Sequence, residues 1–410
     1  MPEQLKIAML SVHSCPLGKL GNRDTGGMNV YIKELSCELG RRGHHVDIYT
    51  RAHDPEHQQV IELDNNVRLI HLGIGSDDDI PKLAIYAYLQ GFICGVENFR
   101  KSRGLNYDLL HSHYWLSGLI GKQLKLWWRV PHLCMFHTLG ATKNNIGIGE
   151  DEPELRIEGE RQVVQDCDLI IASTETEKRE LIQHYGASPD KIDVIPCGVN
   201  MELFRPLGKD YARQQLGLDH ESLVLFVGRV EPLKGLRQML KALPLIASQN
   251  PPRLMIVGGD EHNKDEMAIL QQLSGELNIE DRVTFVGSVS QDKLPLFYSA
   301  ADICVIPSYY ESFGMVALES LACGTPIVST DVGGMRDVVR HAEIGYLIPD
   351  NSPQQLASRT SESLSRNGEG RQHFKVRREA VAKFAWPHIA DRVLQEYRNL
   401  LQERLITPNL

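Results

Sequence analysis

Short β-branched runs alternate with stretches of helical spacing along most of the chain, the rhythm of βαβ units around parallel sheets. Candidate strands fall at 7–12, 46–50, 109–111, 169–172 and 194–196, and together they predict a first sheet. Turn residues then cluster in Cys197-Gly-Val-Asn200 and Arg205-Pro206, after which the rhythm restarts. Strands at 223–227, 254–257, 283–286, 303–307 and 327–329 predict a second sheet. Near the end, Ile389, Val393, Leu394, Tyr397 and Leu401 are spaced for one buried face of a helix that docks on a sheet. No internal repeat is apparent, which argues against a solenoid or propeller.

The expected fold class is therefore α/β, with two Rossmann-like domains facing across a cleft. A chain of 410 residues suits two domains of roughly 200 residues each. The pattern places them at 1–198 with the closing helix 386–410, and at 199–385. In such sheets ligands lie outside the carboxyl ends of the strands, so the chemistry is to be sought there.

Composition narrows the classes. With 42% hydrophobic and 24% charged residues the chain reads as globular. A formal net charge of −9 supplies no basic footprint for nucleic acid. No apolar run is long enough to span a membrane, and the first residues lack the basic flank and cleavage site of a signal peptide, so a cytoplasmic protein is expected. The eight cysteines have no zinc-ligand spacing and read as reduced core residues.

Four strand ends carry unusual residues. The first leads through Asp24-Thr-Gly-Gly-Met-Asn29 into a helix with Gly43 as its stop signal. Gly26 and Gly27 at its start would offer backbone N–H groups to an anion. The plainer reading, a turn capped by Asp24 or Thr25, outweighs that one for an isolated Gly-Gly. The spacing lacks a dinucleotide GxGxxG fingerprint. The second is Gly228-Arg-Val-Glu-Pro-Leu-Lys-Gly235, where Pro232 opens a helix flanked by Arg229 and Lys234. Two cations at the positive end of a helix repel each other unless they share an anion, which points to a diphosphate.

The third, Glu311-Ser-Phe-Gly-Met-Val-Ala-Leu-Glu319, is the strongest local signal. Eight residues at helical rise separate its carboxylates by roughly 12 Å, longer than one sugar ring. Glu311 suits sugar hydroxyls, Glu319 a ribose, and the N–H groups from Phe313 to Val316 suit phosphate oxygens. Among apolar neighbours Glu319 needs a partner, because an unpaired buried carboxylate is costly. The fourth comprises His111-Ser-His-Tyr-Trp115 and Phe136-His137-Thr-Leu-Gly140, where a neutral imidazole could donate to a sugar hydroxyl.

These residues resemble the GT-B glycosyltransferases of family four, with Glu311 and Glu319 as the E-x7-E pair and 228–235 as the phosphate motif. Within that family the chain is most similar to the D-inositol-3-phosphate glycosyltransferases, through Asp24-Thr-Gly-Gly-Met-Asn-Val-Tyr31, His111-Ser-His-Tyr-Trp-Leu-Ser-Gly118, His137-Thr138-Leu139 and Glu154-Leu-Arg156. Sucrose-phosphate synthases share part of the set. The resemblance implies a nucleotide-sugar donor, UDP-glucose or UDP-N-acetylglucosamine, held mostly by the second domain, and retention of anomeric configuration. Arg229 and Lys234 would neutralise the leaving diphosphate, Glu311 would bind the transferred sugar, Glu319 the ribose, and His137 the sugar near its reacting face. Gly26, Gly27, Val286, Phe313, Gly314, Met315 and Val316 would complete the donor site.

The acceptor side would hold Asn29, Tyr114, Thr138 and Arg156. In the inositol-phosphate enzymes a Lys, a Tyr, a Thr and an Arg clamp phosphate, and here the Lys position falls near Asp77, with Lys82 displaced by several residues. A small phosphorylated acceptor is expected, with fructose 6-phosphate as the alternative to inositol phosphate. No metal site is implied, and Mg2+ would enter only on the diphosphate. A homodimer is compatible with the resemblance. Two other classes compete: a two-domain solute-binding protein, which would need an export signal, and a nucleotide-sugar epimerase, which needs no acceptor site.

Overall fold

The computed structural model describes residues 3–18, 25–53, 58–73, 80–247, 251–259, 264–366 and 372–406. The first sheet contains β1 (Lys6–Ser11), β2 (His45–Arg51), β3 (Val60–Asp64), β4 (Val67–Leu72), β5 (Leu109–His113), β6 (His132–Met135), β7 (Leu169–Ala172) and β8 (Ile192–Val194). Its order is β3-β4-β2-β1-β5-β6-β7-β8. Every neighbouring pair is parallel except β3 with β4. The second sheet contains β9 (Leu223–Val227), β10 (Arg253–Val257), β11 (Val283–Gly287), β12 (Ile303–Ile306), β13 (Ile327–Thr330) and β14 (Gly345–Ile348). It is parallel throughout, in the order β11-β10-β9-β12-β13-β14.

The strand order reverses between β1 and β5 in the first sheet and between β9 and β12 in the second. Crossover connections leave on opposite faces at such a point, so a crevice opens beyond the carboxyl ends of those strands. The two crevices face each other.

Four strands escape the pattern reading. Each of β3 and β4 interrupts its apolar residues with charge, and β3 is a half-exposed antiparallel edge. His132-Leu-Cys-Met of β6 lacks β-branched residues, and β14 is four residues long. The last strand of the first sheet is Ile192–Val194, two residues ahead of the 194–196 expected, because Pro196 cannot donate to a ladder.

The C-terminal helix Trp386–Ile406 returns to the first domain. Tyr397 pairs its hydroxyl with Nδ1 of His111 on β5 at 2.7 Å, and Arg42 donates to the Pro387 carbonyl at 2.6 Å. Trp386 packs edge-on against Tyr31 and covers Gly198, where a Cβ would lie 2.4 Å from the indole ring. Only glycine admits that approach at the crossover between domains. One buried cluster runs from Ile7 and Ile48 through Trp386 and Tyr397 to Leu223 and Ile327, so the helix joins both cores. The eight cysteines are unpaired, and six are buried. Among the described residues no helix is long and apolar enough to cross a membrane.

Candidate active site

The second-domain wall of the cleft is built at the carboxyl ends of β9 and β12. After β9 the chain turns through Gly228 and Arg229 into a single 3₁₀ turn, Pro232–Lys234, and the α-helix begins only at Leu236. Pro232 thus opens that short turn instead of the expected helix. Gly235 separates the two elements at φ +68°, and a Cβ there would sit 1.9 Å from the Pro307 carbonyl oxygen. This close approach draws Lys234 to the β12 loop. Its Nζ lies 2.7 Å from Oε1 of Glu311, which also accepts from Ser308 Oγ at 2.8 Å.

Arg229 lies 3.1 Å from Glu231. The two cations are therefore not a bare repelling pair, since each has a carboxylate beside it. Burial would raise the Glu231 carboxyl, but Arg229 and Lys234, with Lys143 and Lys82 of the first domain, outweigh it and hold the group below its usual range.

Glu311 precedes the helix Met315–Ala322, so helical rise separates Glu319 from Met315 and not from Glu311. Gly314 starts this helix at φ +102° and no side chain caps it. Phe313, Gly314, Met315, Val316 and Glu319 all line the cleft. Glu319 is 6% exposed and accepts from the Tyr298 hydroxyl at 2.8 Å, the partner that its burial required. Burial pushes its pKa up to about 7, against hydrogen bonds from Tyr298 and Gln291.

The first-domain wall lies across the cleft. Tyr114 and His137 end β5 and β6 with φ of +73° and +63°. Such backbone costs on the order of 1–3 kcal/mol per residue and persists where surrounding structure imposes it. Around the Tyr114 ring stand the His13 ring at 4.4 Å, Arg156 Cζ at 4.9 Å and Lys82 Nζ at 5.4 Å. Lys82 arrives on a 3₁₀ helix, Lys82–Tyr88, entered through Pro81. Lys143 also lines the cleft and pairs with Glu152 at 2.5 Å. Burial, reinforced by His111, pushes the His137 pKa down to about 3, so this imidazole is neutral near pH 7.

Residues 25–203 match the Glycosyltransferase Family 4 model, and 209–379 match Glycosyl transferases group 1. The D-inositol 3-phosphate glycosyltransferase of Thermomonospora curvata is 39% identical over 96% of this chain and 95% of its own length. This chain belongs to the GT-B glycosyltransferases of family four. A second relative of the same description, from Gordonia bronchialis, is 36% identical over 98% of this chain and 90% of its own. Among solved structures, the sucrose-phosphate synthase of Thermosynechococcus elongatus superposes with a TM-score of 0.90 at 35% identity, covering 98% of this chain and all of its own. Anabaena HepE in complex with UDP and glucose shares the fold, with a TM-score of 0.76 at 19% identity over 97% of this chain and all of its own.

In this glycosyltransferase the cleft brings together Gly26, Gly27, Asn29, Tyr114, His137, Thr138, Arg229, Lys234, Glu311 and Glu319. Gly26 is itself the helix N-cap, in place of Thr25; Asp24 lies outside the described residues. A Cβ on Gly26 would lie 4.0 Å from Arg229, and one on Gly27 3.4 Å from Met315, so this helix start faces the donor loops.

Two expected site residues, Val286 and Arg156, do not line the cleft, and a third, Asn29, lines it with its amide already bonded. Val286 is 36% exposed on β11 and does not line the cleft, where Ser288 and Val289 stand instead. Asn29 spends its amide internally, accepting from Gly26 N and donating to Ser14 Oγ and the Cys15 carbonyl. Arg156, only 2% exposed, lies behind the lining and is held by Glu152, Glu160 and both oxygens of Thr138. It bonds Thr138 and stands over the Tyr114 ring, while Lys82 and Lys143 are the first-domain cations that line the cleft.

The pattern reading missed His13, Lys143, Glu231 and Gln291. His13, just beyond β1, was legible as a polar residue at a strand end. Lys143 lies on the short helix Gly140–Ile146, Gln291 opens a 3₁₀ turn and Glu231 precedes another, and only tertiary packing brings these three to the cleft.

A test follows from Glu319. With a pKa near 7 it is mostly protonated at pH 6, and a protonated carboxyl accepts hydrogen bonds from ribose hydroxyls less well. Donor KM is expected to fall about tenfold between pH 6 and pH 8, and Glu319→Gln to flatten that profile. A wild-type donor KM independent of pH over this range would remove Glu319 from the ribose site.

Proposed function

We propose that this glycosyltransferase moves a hexosyl unit from a UDP-sugar to a small phosphorylated polyol or sugar, with retention of anomeric configuration. The observation that carries this reading is the pairing of two cationic clusters across one cleft. Arg229 and Lys234 line the second-domain wall, which would take the donor, while Lys82, over the Tyr114 ring, and Lys143 line the first-domain wall, which would take the acceptor. One cluster suits a diphosphate and the other a second phosphate, since desolvated cations bind phosphate oxygens by charge-assisted hydrogen bonds.

Retention is supported by family membership, and a front-face transfer would need no protein carboxylate to attack carbon. Among the described lining residues, Glu231 pairs with Arg229, Glu311 with Lys234, and Glu319 with Tyr298. Each already has a partner within the protein, which suits binding and charge-balancing roles. The leaving phosphate oxygen can then take the acceptor's proton, which leaves electrostatic stabilisation of that oxygen as the protein's main task. Mg2+, where it takes part, would ride on the diphosphate.

The relatives' description favours inositol phosphate as acceptor, and the sucrose-phosphate synthase likeness favours fructose 6-phosphate. A donor-by-acceptor matrix separates them. UDP-glucose, UDP-N-acetylglucosamine and GDP-mannose are each incubated with L-inositol 1-phosphate, fructose 6-phosphate or no acceptor, and released nucleotide and product mass are read. Nucleotide release that requires a phosphorylated acceptor is the expected result. Conversion of the donor to an isomeric sugar without acceptor would replace this reading with an epimerase.

A further inference from the structure

His137 does not stand alone. Its Nε2 lies 3.0 Å from Nδ1 of His113, the last residue of β5 and next to the cleft-lining Tyr114. His113 is fully buried, its ring 4.3 Å from that of His111, which is tied to Tyr397 of the C-terminal helix. Tyr31 closes the other side, with its ring 5.3 Å from His137 and 5.8 Å from His113. Burial holds both His113 and His137 neutral.

Two neutral imidazoles in one hydrogen bond share a single proton, so their tautomers are coupled. Either His137 donates from Nε2, which puts the His113 proton on its own Nε2, or His113 donates from Nδ1, which puts the His137 proton on Nδ1. Nε2 of His113 is buried without a hydrogen-bond partner. A buried N–H without an acceptor is rarer and costlier than a bare lone pair, so the second arrangement is favoured. His137 Nδ1 is not among the buried unpartnered atoms, and its ring lines the cleft. That nitrogen therefore faces the ligand carrying the proton.

We infer that His113 is a positioning residue for the transfer reaction: its hydrogen bond to His137 fixes that ring as the Nδ1–H tautomer and aims one donor at the donor sugar. The inference rests on the reading that His137 touches that sugar. The consequence is that His137 acts as a fixed hydrogen-bond donor to a sugar oxygen, not as a proton shuttle.

The test compares His113→Leu, His113→Asn and His137→Ala in the full chain, with kcat, donor KM and thermal midpoint for each. The leucine removes the bond, whereas the asparagine amide can donate from near the Nδ1 position. His113→Leu is expected to lower kcat about tenfold with donor KM within about twofold, and His113→Asn to recover most of kcat. Nitrogen-15 NMR of the imidazoles should show His137 protonated on Nδ1 in the wild type and shifted toward Nε2 in His113→Leu. A folded His113→Leu with wild-type kcat, or a wild-type His137 protonated on Nε2, overturns the role of His113. If His137→Ala itself turns over normally, the placement of His137 against the sugar fails instead.

Discussion

Lys234→Ala is expected to lower kcat by about 10²-fold or more while donor KM changes far less. The reason is where charge develops. As the bond from anomeric carbon to phosphate breaks, negative charge grows on the leaving oxygen, and a cation fixed beside it stabilises the transition state more than the ground state. Lys234 is fixed in this sense, because the Gly235 contact and the pair with Glu311 hold it before the donor arrives. Arg229, on the same loop, is expected to show the same split between kcat and KM.

The lysine substitution also leaves Glu311 without its ammonium partner, so Lys234→Arg serves as a control that keeps the charge. Steady-state rates and thermal midpoints for Lys234→Ala, Lys234→Arg and Arg229→Ala make the comparison. Wild-type turnover in both alanine variants would remove these residues from leaving-group stabilisation.

On the acceptor side, Lys82→Gln is expected to raise acceptor KM about 10- to 100-fold, the loss of one charge-assisted hydrogen bond of about 1.5–3 kcal/mol. Lys82 suits this test better than Arg156. Removing Arg156 takes the cation from Glu160, which is fully buried and keeps only its hydrogen bonds from Gly140 and Tyr185, and would cost up to about 3–5 kcal/mol of stability whatever the acceptor. A phosphate-free acceptor provides the second arm. It should bind wild type weakly, and Lys82→Gln should weaken it little further, because the interaction is already absent. Equal losses for phosphorylated and phosphate-free acceptors would show that Lys82 supports the loop without meeting a phosphate.

Much of the second-domain wall was legible from the sequence. Glu311 and Glu319, and Arg229 and Lys234, lie within two short segments, each at a strand end, so local spacing carries most of the geometry. Even there, residue order concealed the ion pairs. Glu311 with Lys234 joins positions 77 residues apart, and no periodicity announces such a pair.

The first-domain wall drew on more distant parts of the chain. His13, Lys82, Tyr114 and Arg156 come from four separate stretches and meet around one aromatic ring. A lysine displaced in sequence thus reaches the Tyr114 ring because a 3₁₀ helix, not an aligned loop, delivers it. Arg156 shows the converse: its residue type suggested phosphate, and the fold buries it between Glu152 and Glu160, pairings that residue order did not announce.

The alternation of strands and helices, the two-domain division and the donor motif were set by the sequence alone, since each depends on local period, turn chemistry and residues close in the chain. Which cations face the cleft, which carboxylates neutralise them and which way His137 presents its proton were decided only by tertiary structure. Those properties arise from burial and from partners far apart in the chain, and burial is a property of the packed molecule.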